Sequence, residues 1–162
     1  MIDNNTSGSL AGRWALVTGA GRRIGAAIVA GLHEAGANVV VHYFKSGEAA
    51  EALVVNLNSA RSESALAIQA DLTDSAALPL LLADVTTTTG RLDVLVNNAS
   101  SFYPTPLGSI TEEQWDDLLG SNLKAPLFLC QAALPHLKES QGVIINIVDV
   151  HSQRPLKNHP VY

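Results

Sequence analysis

Cysteine is all but missing from this chain, and the single one, Cys130, excludes an internal disulfide framework and suits a reducing compartment. It falls in the apolar stretch 126–137, a setting for packing rather than thiol chemistry. Charge is scarce too, at 15% of residues, and the 10 Lys and Arg are outnumbered by 15 Asp and Glu for a net −5. That balance excludes a binder of nucleic acid or anionic membrane held by electrostatics. No apolar run approaches membrane-spanning length, and no apolar segment behind a basic start marks a secretory leader, so a cytoplasmic protein is expected. The histidines at 33, 42, 136, 151 and 159 show no ligand spacing, and no metal site is expected.

Apolar residues are plentiful: 47% of the chain is hydrophobic, with mean hydropathy +0.18. In 162 residues this predicts one core, with apolar strands buried on both faces as in a parallel sheet. Residues 1–12, rich in Ser, Asn and Gly, read as a flexible arm before a single domain over 13–162. Strands are expected at 13–18, 37–42, 64–70, 92–96 and 143–148. Helices are expected at 22–35, closed by Gly36, and at 46–60, capped by Ser46. Another starts at Thr73 or Asp74 unless Pro79 kinks or delays it. A capping box at Thr111-Glu112-Glu113-Gln114 opens the next, which continues or breaks near Gly120, and a last one spans about 122–138. Such alternation makes an open parallel α/β sheet, with ligands beyond the carboxyl ends of its strands.

The first strand runs into Thr18-Gly19-Ala20-Gly21-Arg22-Arg23-Ile24-Gly25 and then an alanine-rich helix. Gly19 and Gly21 permit a tight turn and close approach of a pyrophosphate, and Gly25 lets the helix lie close to the sheet. Free N–H groups and the helix dipole favour bound negative charge there. The same residues also read as an ordinary strand-to-helix turn, one residue longer than G-x-G-x-x-G. After the second strand, where an NAD binder carries a carboxylate, stands His42-Tyr43-Phe44-Lys45-Ser46, without an acid. A cation and a hydroxyl suit a 2′-phosphate, so NADP(H) is the expected cofactor, although Lys45 alone is equally a solvated lysine. Asp71 closes the third strand, either to accept the adenine amino group or to cap a helix.

Thr18-Gly19-x-x-x-Arg23-x-Gly25, Asn97-Asn98-Ala99 and Asn122 together resemble the short-chain dehydrogenase/reductases. Arg23 in place of the middle glycine, Ser100-Ser101-Phe102-Tyr103-Pro104 after Asn-Asn-Ala, and Asp149 where most members carry serine are similar to the pteridine reductases. The resemblance covers 13–162 and implies a Rossmann-type, doubly wound parallel sheet, here given only through its fifth strand. It implies that Arg23 bridges cofactor phosphate and substrate, and that Ile24 gives a backbone contact. Tyr43, Lys45 and Ser46 would hold the 2′-phosphate, with His42 and Phe44 in the same stretch, and Asp71-Leu72 the adenine. Asn98, Ala99 and Ser100 would follow the ribose and nicotinamide. Phe102 would stack on a pterin, or simply anchor its loop.

Asp149 and Tyr162 stand thirteen residues apart, the family's separation of acid and tyrosine. By resemblance Tyr162 orients the ribose and relays a proton, while Asp149 supplies one, its pKa raised by burial beside Val148 and Val150. Asp149 alone also reads as a turn or helix cap. Asn122 would hold a relay water, or cap a helix. The implied activity is NADPH-dependent reduction of dihydropterin or dihydrofolate in a homotetramer. A carbonyl or 3-oxoacyl reductase, or a non-catalytic nucleotide-binding fragment, are the other readings. The family's lysine, four residues after the tyrosine, lies past Tyr162; the 162-residue chain alone is therefore expected to be poorly stable and inactive, and normal NADPH turnover by it would overturn that.

Overall fold

A computed structural model describes residues 9–162. The arm expected over 1–12 lies mostly outside these residues. Its last part forms a turn tied to the domain by the Leu10 N–H, which donates to Ala35 O at 3.0 Å. Five parallel strands, β1 (Trp14–Val17), β2 (Asn38–Tyr43), β3 (Ala65–Gln69), β4 (Val94–Asn97) and β5 (Val143–Asn146), form one sheet in the order β3-β2-β1-β4-β5. The helices between them are α1 (Arg23–Glu34), α2 (Gly47–Ala60), α3 (Ala77–Thr89), α4 (Glu112–Leu119) and α5 (Ala125–Ser140). The chain is thus a Rossmann-like α/β fold.

Strand periodicity divides the core in two. Leu16, Val40 and Leu95 face one side and pack with Leu78, Leu82 and Val85 of α3 and Leu129 and Ala133 of α5. Ala15, Val17, Val39, Val41, Val94 and Val96 face the other, against Val29 of α1 and Ala50, Val54 and Leu57 of α2. Because both faces are covered, the inner strands read as continuous apolar runs. β5, at the edge, is exposed along its length. β2 and β3 are added on one side of β1, and β4 and β5 on the other, so the order reverses between β1 and β4 and opens a crevice at their carboxyl ends. At the other end of the sheet, buried Asp93 accepts the Trp14 N–H at 2.9 Å and the Arg91 guanidinium at 2.8 and 2.5 Å. That carboxylate joins strands rather than serving a site.

Several local expectations are refined by the structure. α3 begins late, at Ala77, with Pro79 in its first turn where a missing N–H costs nothing. Neither Thr73 nor Asp74 starts it, and Asp71 does not cap it; the N-cap position is Ala76. Ser46 stands at the α2 N-cap position, but with φ −103° and ψ 44°, away from the extended backbone usual there, and it makes no capping bond. The capping box is complete: Thr111 Oγ1 accepts the Gln114 N–H at 3.3 Å and Gln114 Oε1 accepts the Thr111 N–H at 3.1 Å. The helical path continues through Gly120 without a break: a π-helical turn, Gly120–Lys124, joins α4 to α5.

Candidate active site

β1 ends in a saturated hydrogen-bond network. The Thr18 hydroxyl accepts the N–H groups of Asn98 (2.9 Å) and Ala99 (3.0 Å) and donates to Val96 O at 3.4 Å. Asn98, expected along the ribose, turns its amide to donate to Thr18 O (2.8 Å) and Gly19 O (3.3 Å), stapling the glycine turn to the loop after β4. Gly19 has φ +61°, and a Cβ there would lie 2.8 Å from Ala99 Cα. A Cβ on Gly21 would fall 2.5 Å from Ser46 Oγ, so the bare α-carbon is what lets Ser46 close on the turn. Gly25 was expected to bring the helix close to the sheet. It packs against the ends of β1 and β4, where a Cβ would lie 2.5 Å from Gly19 O and 2.7 Å from Asn98 Nδ2.

Arg23 occupies the left-handed region, φ +52°. An L-residue there carries roughly 1–2 kcal/mol of strain that glycine avoids. Arg23→Gly is therefore expected to raise stability by about 0.5–1 kcal/mol after the entropy cost of glycine is subtracted. Urea unfolding checks this, and a less stable variant would contradict the strain.

Of the residues expected to touch cofactor, His42 turns to the protein, while Asp71 and Leu72 also have local partners. His42 is buried, 1% exposed. Its Nδ1 accepts the Gly19 N–H at 3.1 Å and its Nε2 lies 3.1 Å from Ala70 O, so the ring faces the protein and not a ligand. Leu72 packs its side chain into the core. Asp71 Oδ1 accepts the Thr73 N–H (2.9 Å) and hydroxyl (2.7 Å), closing a local turn. Lys45 stays exposed, with Nζ 5.2 Å from the Phe44 ring centroid, and Tyr43 is half-buried against Gly47.

The acid and the tyrosine meet. The Tyr162 hydroxyl donates to Asp149 Oδ2 at 2.9 Å, and Asp149 Oδ1 accepts the His151 N–H at 3.0 Å. The expected burial of Asp149 is overturned: Val148 and Val150 are 80% and 60% exposed. The His151 amide and then the Tyr162 hydroxyl hold the carboxyl below its usual range, so it is ionised. Partial burial, then Asp149, pushes the Tyr162 phenol up, so the proton of the pair sits on Tyr162.

Phe102 stacks on His159, with centroids 4.9 Å apart and 14° between planes, and meets the edge of Tyr162 at 4.8 Å. The partner His159 was not singled out in the sequence; its pairing is set by the fold of the 153–162 segment. Asn122 neither caps a helix nor keeps a free amide. Its Oδ1 accepts the Ser101 N–H (3.1 Å) and its Nδ2 donates to Ser101 O (2.8 Å). The π-helical turn aims it there, and Asp117 holds the same loop through Ser101 Oγ (3.1 Å) and Tyr103 Oη (2.9 Å). The result is one cleft of about 520 Å³ beside the glycine turn, lined by Arg23, Ile24, Ser100, Phe102, Asp149 and Tyr162 among others. Asn122 lines an adjoining cleft of about 450 Å³ that shares Ser100, Asp149 and Tyr162.

Parallel strands, a glycine turn at the reversal of strand order and a tyrosine beside a polar partner are joined by a sequence match. The family model described as short chain dehydrogenase matches residues 13–162. The chain belongs to the short-chain dehydrogenase family. It is 36% identical to pteridine reductase 1 of Leishmania tarentolae, over 91% of this chain and 64% of that protein. It is 38% identical to versicolorin reductase 1 of Aspergillus parasiticus, over 100% and 60%. It is 41% identical to a 3-oxoacyl-acyl-carrier-protein reductase of Staphylococcus aureus, over 84% and 55%. The chain therefore spans between 55% and 64% of the length of these relatives. Relatives of three different names match this short-chain dehydrogenase at similar identity, so the pteridine reductases are one subgroup among several that it resembles.

Proposed function

We propose that the complete protein is an NADPH-dependent oxidoreductase that reduces a pterin, taking dihydropterin or dihydrofolate to the tetrahydro form. The observation that carries this is the convergence of Arg23, Ser100, Phe102, Asp149 and Tyr162 on one cleft at the glycine turn. The residues suit a dinucleotide phosphate. Gly21 lacks the Cβ that would crowd Ser46, the Gly21 and Arg22 N–H groups have no partner among the described residues, and Arg23 and Lys45 are exposed cations. NADPH, when bound, supplies hydride to the carbon of a C=N bond.

The chain's own residues provide the rest. Phe102, stacked on His159 on one side, still presents exposed apolar surface to the cleft, and the Arg23 fork suits anionic oxygens. The proton for nitrogen is held at the Tyr162 oxygen, oriented by ionised Asp149. Asp149 would supply a proton directly or through water. A carbonyl or 3-oxoacyl reductase is the second reading, favoured by the 41% identity to a 3-oxoacyl reductase; Asp149 in place of serine and Phe102 count against it. A homotetramer in the cytoplasm completes the proposal. Among the described residues no helix is long and apolar enough to cross a membrane.

The test is NADPH oxidation by the complete protein with dihydrobiopterin and dihydrofolate, against a 3-oxoacyl thioester and a simple ketone. Faster turnover of the thioester or ketone would reverse the order of the two readings. Lys45→Glu is expected to weaken NADPH binding about tenfold, near 1.4 kcal/mol, with little change for NADH. An unchanged NADPH affinity would remove the assignment of the 2′-phosphate site.

A further inference from the structure

Past Asn38, strand β2 runs Val39-Val40-Val41 into His42, whose ring is buried at 1% exposure and takes no part in the proposed reaction. Every polar group of this residue that can reach a neighbouring loop does so. Nδ1 accepts the Gly19 N–H at 3.1 Å, and the His42 carbonyl accepts the Ala20 N–H at 2.8 Å. With Nδ1 an acceptor, the ring proton is on Nε2, which donates to Ala70 O at 3.1 Å. One neutral tautomer satisfies both contacts. The Ala70 N–H in turn donates to Tyr43 O at 3.1 Å, drawing in the corner that holds Lys45 and Ser46.

We propose that His42 is a positioning residue that joins the glycine turn after β1 to the Asp71 corner after β3, and so sets the spacing of the adenosine-phosphate half of the site without touching a ligand. This rests on the dinucleotide reading of that turn. By occupying the Gly19 and Ala20 N–H groups, His42 also leaves Gly21 and Arg22 as the turn's unpartnered donors. A bound phosphate is thereby directed away from β1 and toward Arg23 and Ser46. An apolar residue in the same strand would fill the core but leave the Gly19 N–H buried and unpartnered, and the turn free to open.

Two variants separate positioning from packing. In His42→Asn the side-chain oxygen can still accept the Gly19 N–H; in His42→Val nothing can. The probe is 2′,5′-ADP, titrated well below the melting temperature of each variant, with amide hydrogen exchange at Gly19 and Ala20 read alongside. His42→Val, which loses both contacts, is expected to weaken 2′,5′-ADP about tenfold and to speed Gly19 exchange, while His42→Asn, which keeps the Gly19 bond and loses the Ala70 one, weakens it about threefold and leaves Gly19 exchange near wild type. Wild-type affinity in His42→Val, or Gly19 exchange as fast in His42→Asn as in His42→Val, overturns the proposal. If wild type itself binds neither 2′,5′-ADP nor NADPH, the dinucleotide reading has failed and the proposal falls with it. Normal wild-type binding together with an indifferent His42→Val means that only the role of His42 was wrong.

Discussion

Gly25→Ala is expected to destabilise the fold by about 3 kcal/mol and to abolish 2′,5′-ADP binding. The added Cβ would lie 2.5 Å from Gly19 O, 2.7 Å from Asn98 Nδ2 and 2.8 Å from Ala20 Cα. Two of those atoms are backbone and have little room to retreat. Gly19 N–H is bonded to the His42 ring, Ala20 N–H to His42 O, and Asn98 to the carbonyls of Thr18 and Gly19. Relief therefore requires the turn to part from β4 or α1 to tilt off the sheet, and either displaces the phosphate donors. Gly31 is the internal control. It lies in the same helix with nothing within 4 Å of its Cβ position. Gly31→Ala should stabilise by up to about 1 kcal/mol through helix propensity alone. Urea midpoints of the two variants should move in opposite directions, and a Gly25→Ala protein as stable as wild type would refute the close packing of turn and helix.

Acid should weaken the fold through His42 well above the range in which carboxylates protonate. Burial pulls the imidazole from 6.5 down to about 4, offset in part by the Ala70 carbonyl, and no charged side chain contributes. The sign follows from proton counting. Between these two pH values the unfolded chain binds a proton that the folded chain refuses, so stability rises with pH. The contribution is complete above pH 6.5 and is lost progressively as pH falls toward 4. Its full size is about 3 kcal/mol. His33, lowered by burial and then by Arg61, adds in the same direction. Exposed Asp149, whose carboxyl is held low by hydrogen bonds, contributes only at still lower pH. His42→Asn should flatten the slope of unfolding free energy between pH 6.5 and 4 relative to wild type. The same slope in both would show that another group is responsible.

The two histidine predictions probe different consequences of one geometry. Protonation at Nδ1 would set an N–H against the Gly19 N–H, so the same event that costs stability would release the glycine turn. Loss of 2′,5′-ADP affinity should therefore track the acid side of the stability curve. Asp149 and Tyr162 give no such signal there, since the phenol stays protonated and the carboxyl ionised across that range.

Local chemistry alone specifies much of this molecule. Apolar runs punctuated by glycine, the Thr111 box and the alternation of strand and helix lead to the five parallel strands that are observed, because periodicity and capping are properties of neighbouring residues. The identity of the residues at the strand ends also brings Arg23, Phe102, Asp149 and Tyr162 to one crevice, since parallel topology delivers every carboxyl end to the same edge. What each of those side chains does there depends on partners far along the chain. His42 faces Gly19 and Ala70, Asn122 grips Ser101 across a π-helical turn, Gly25 meets Gly19 and Asn98, and Phe102 is met by His159. Burial and hydrogen-bond pairing are set by approach in three dimensions, and so the expected buried acid at 149 proves solvent-facing while the expected ligand contact at 42 proves to be an internal brace.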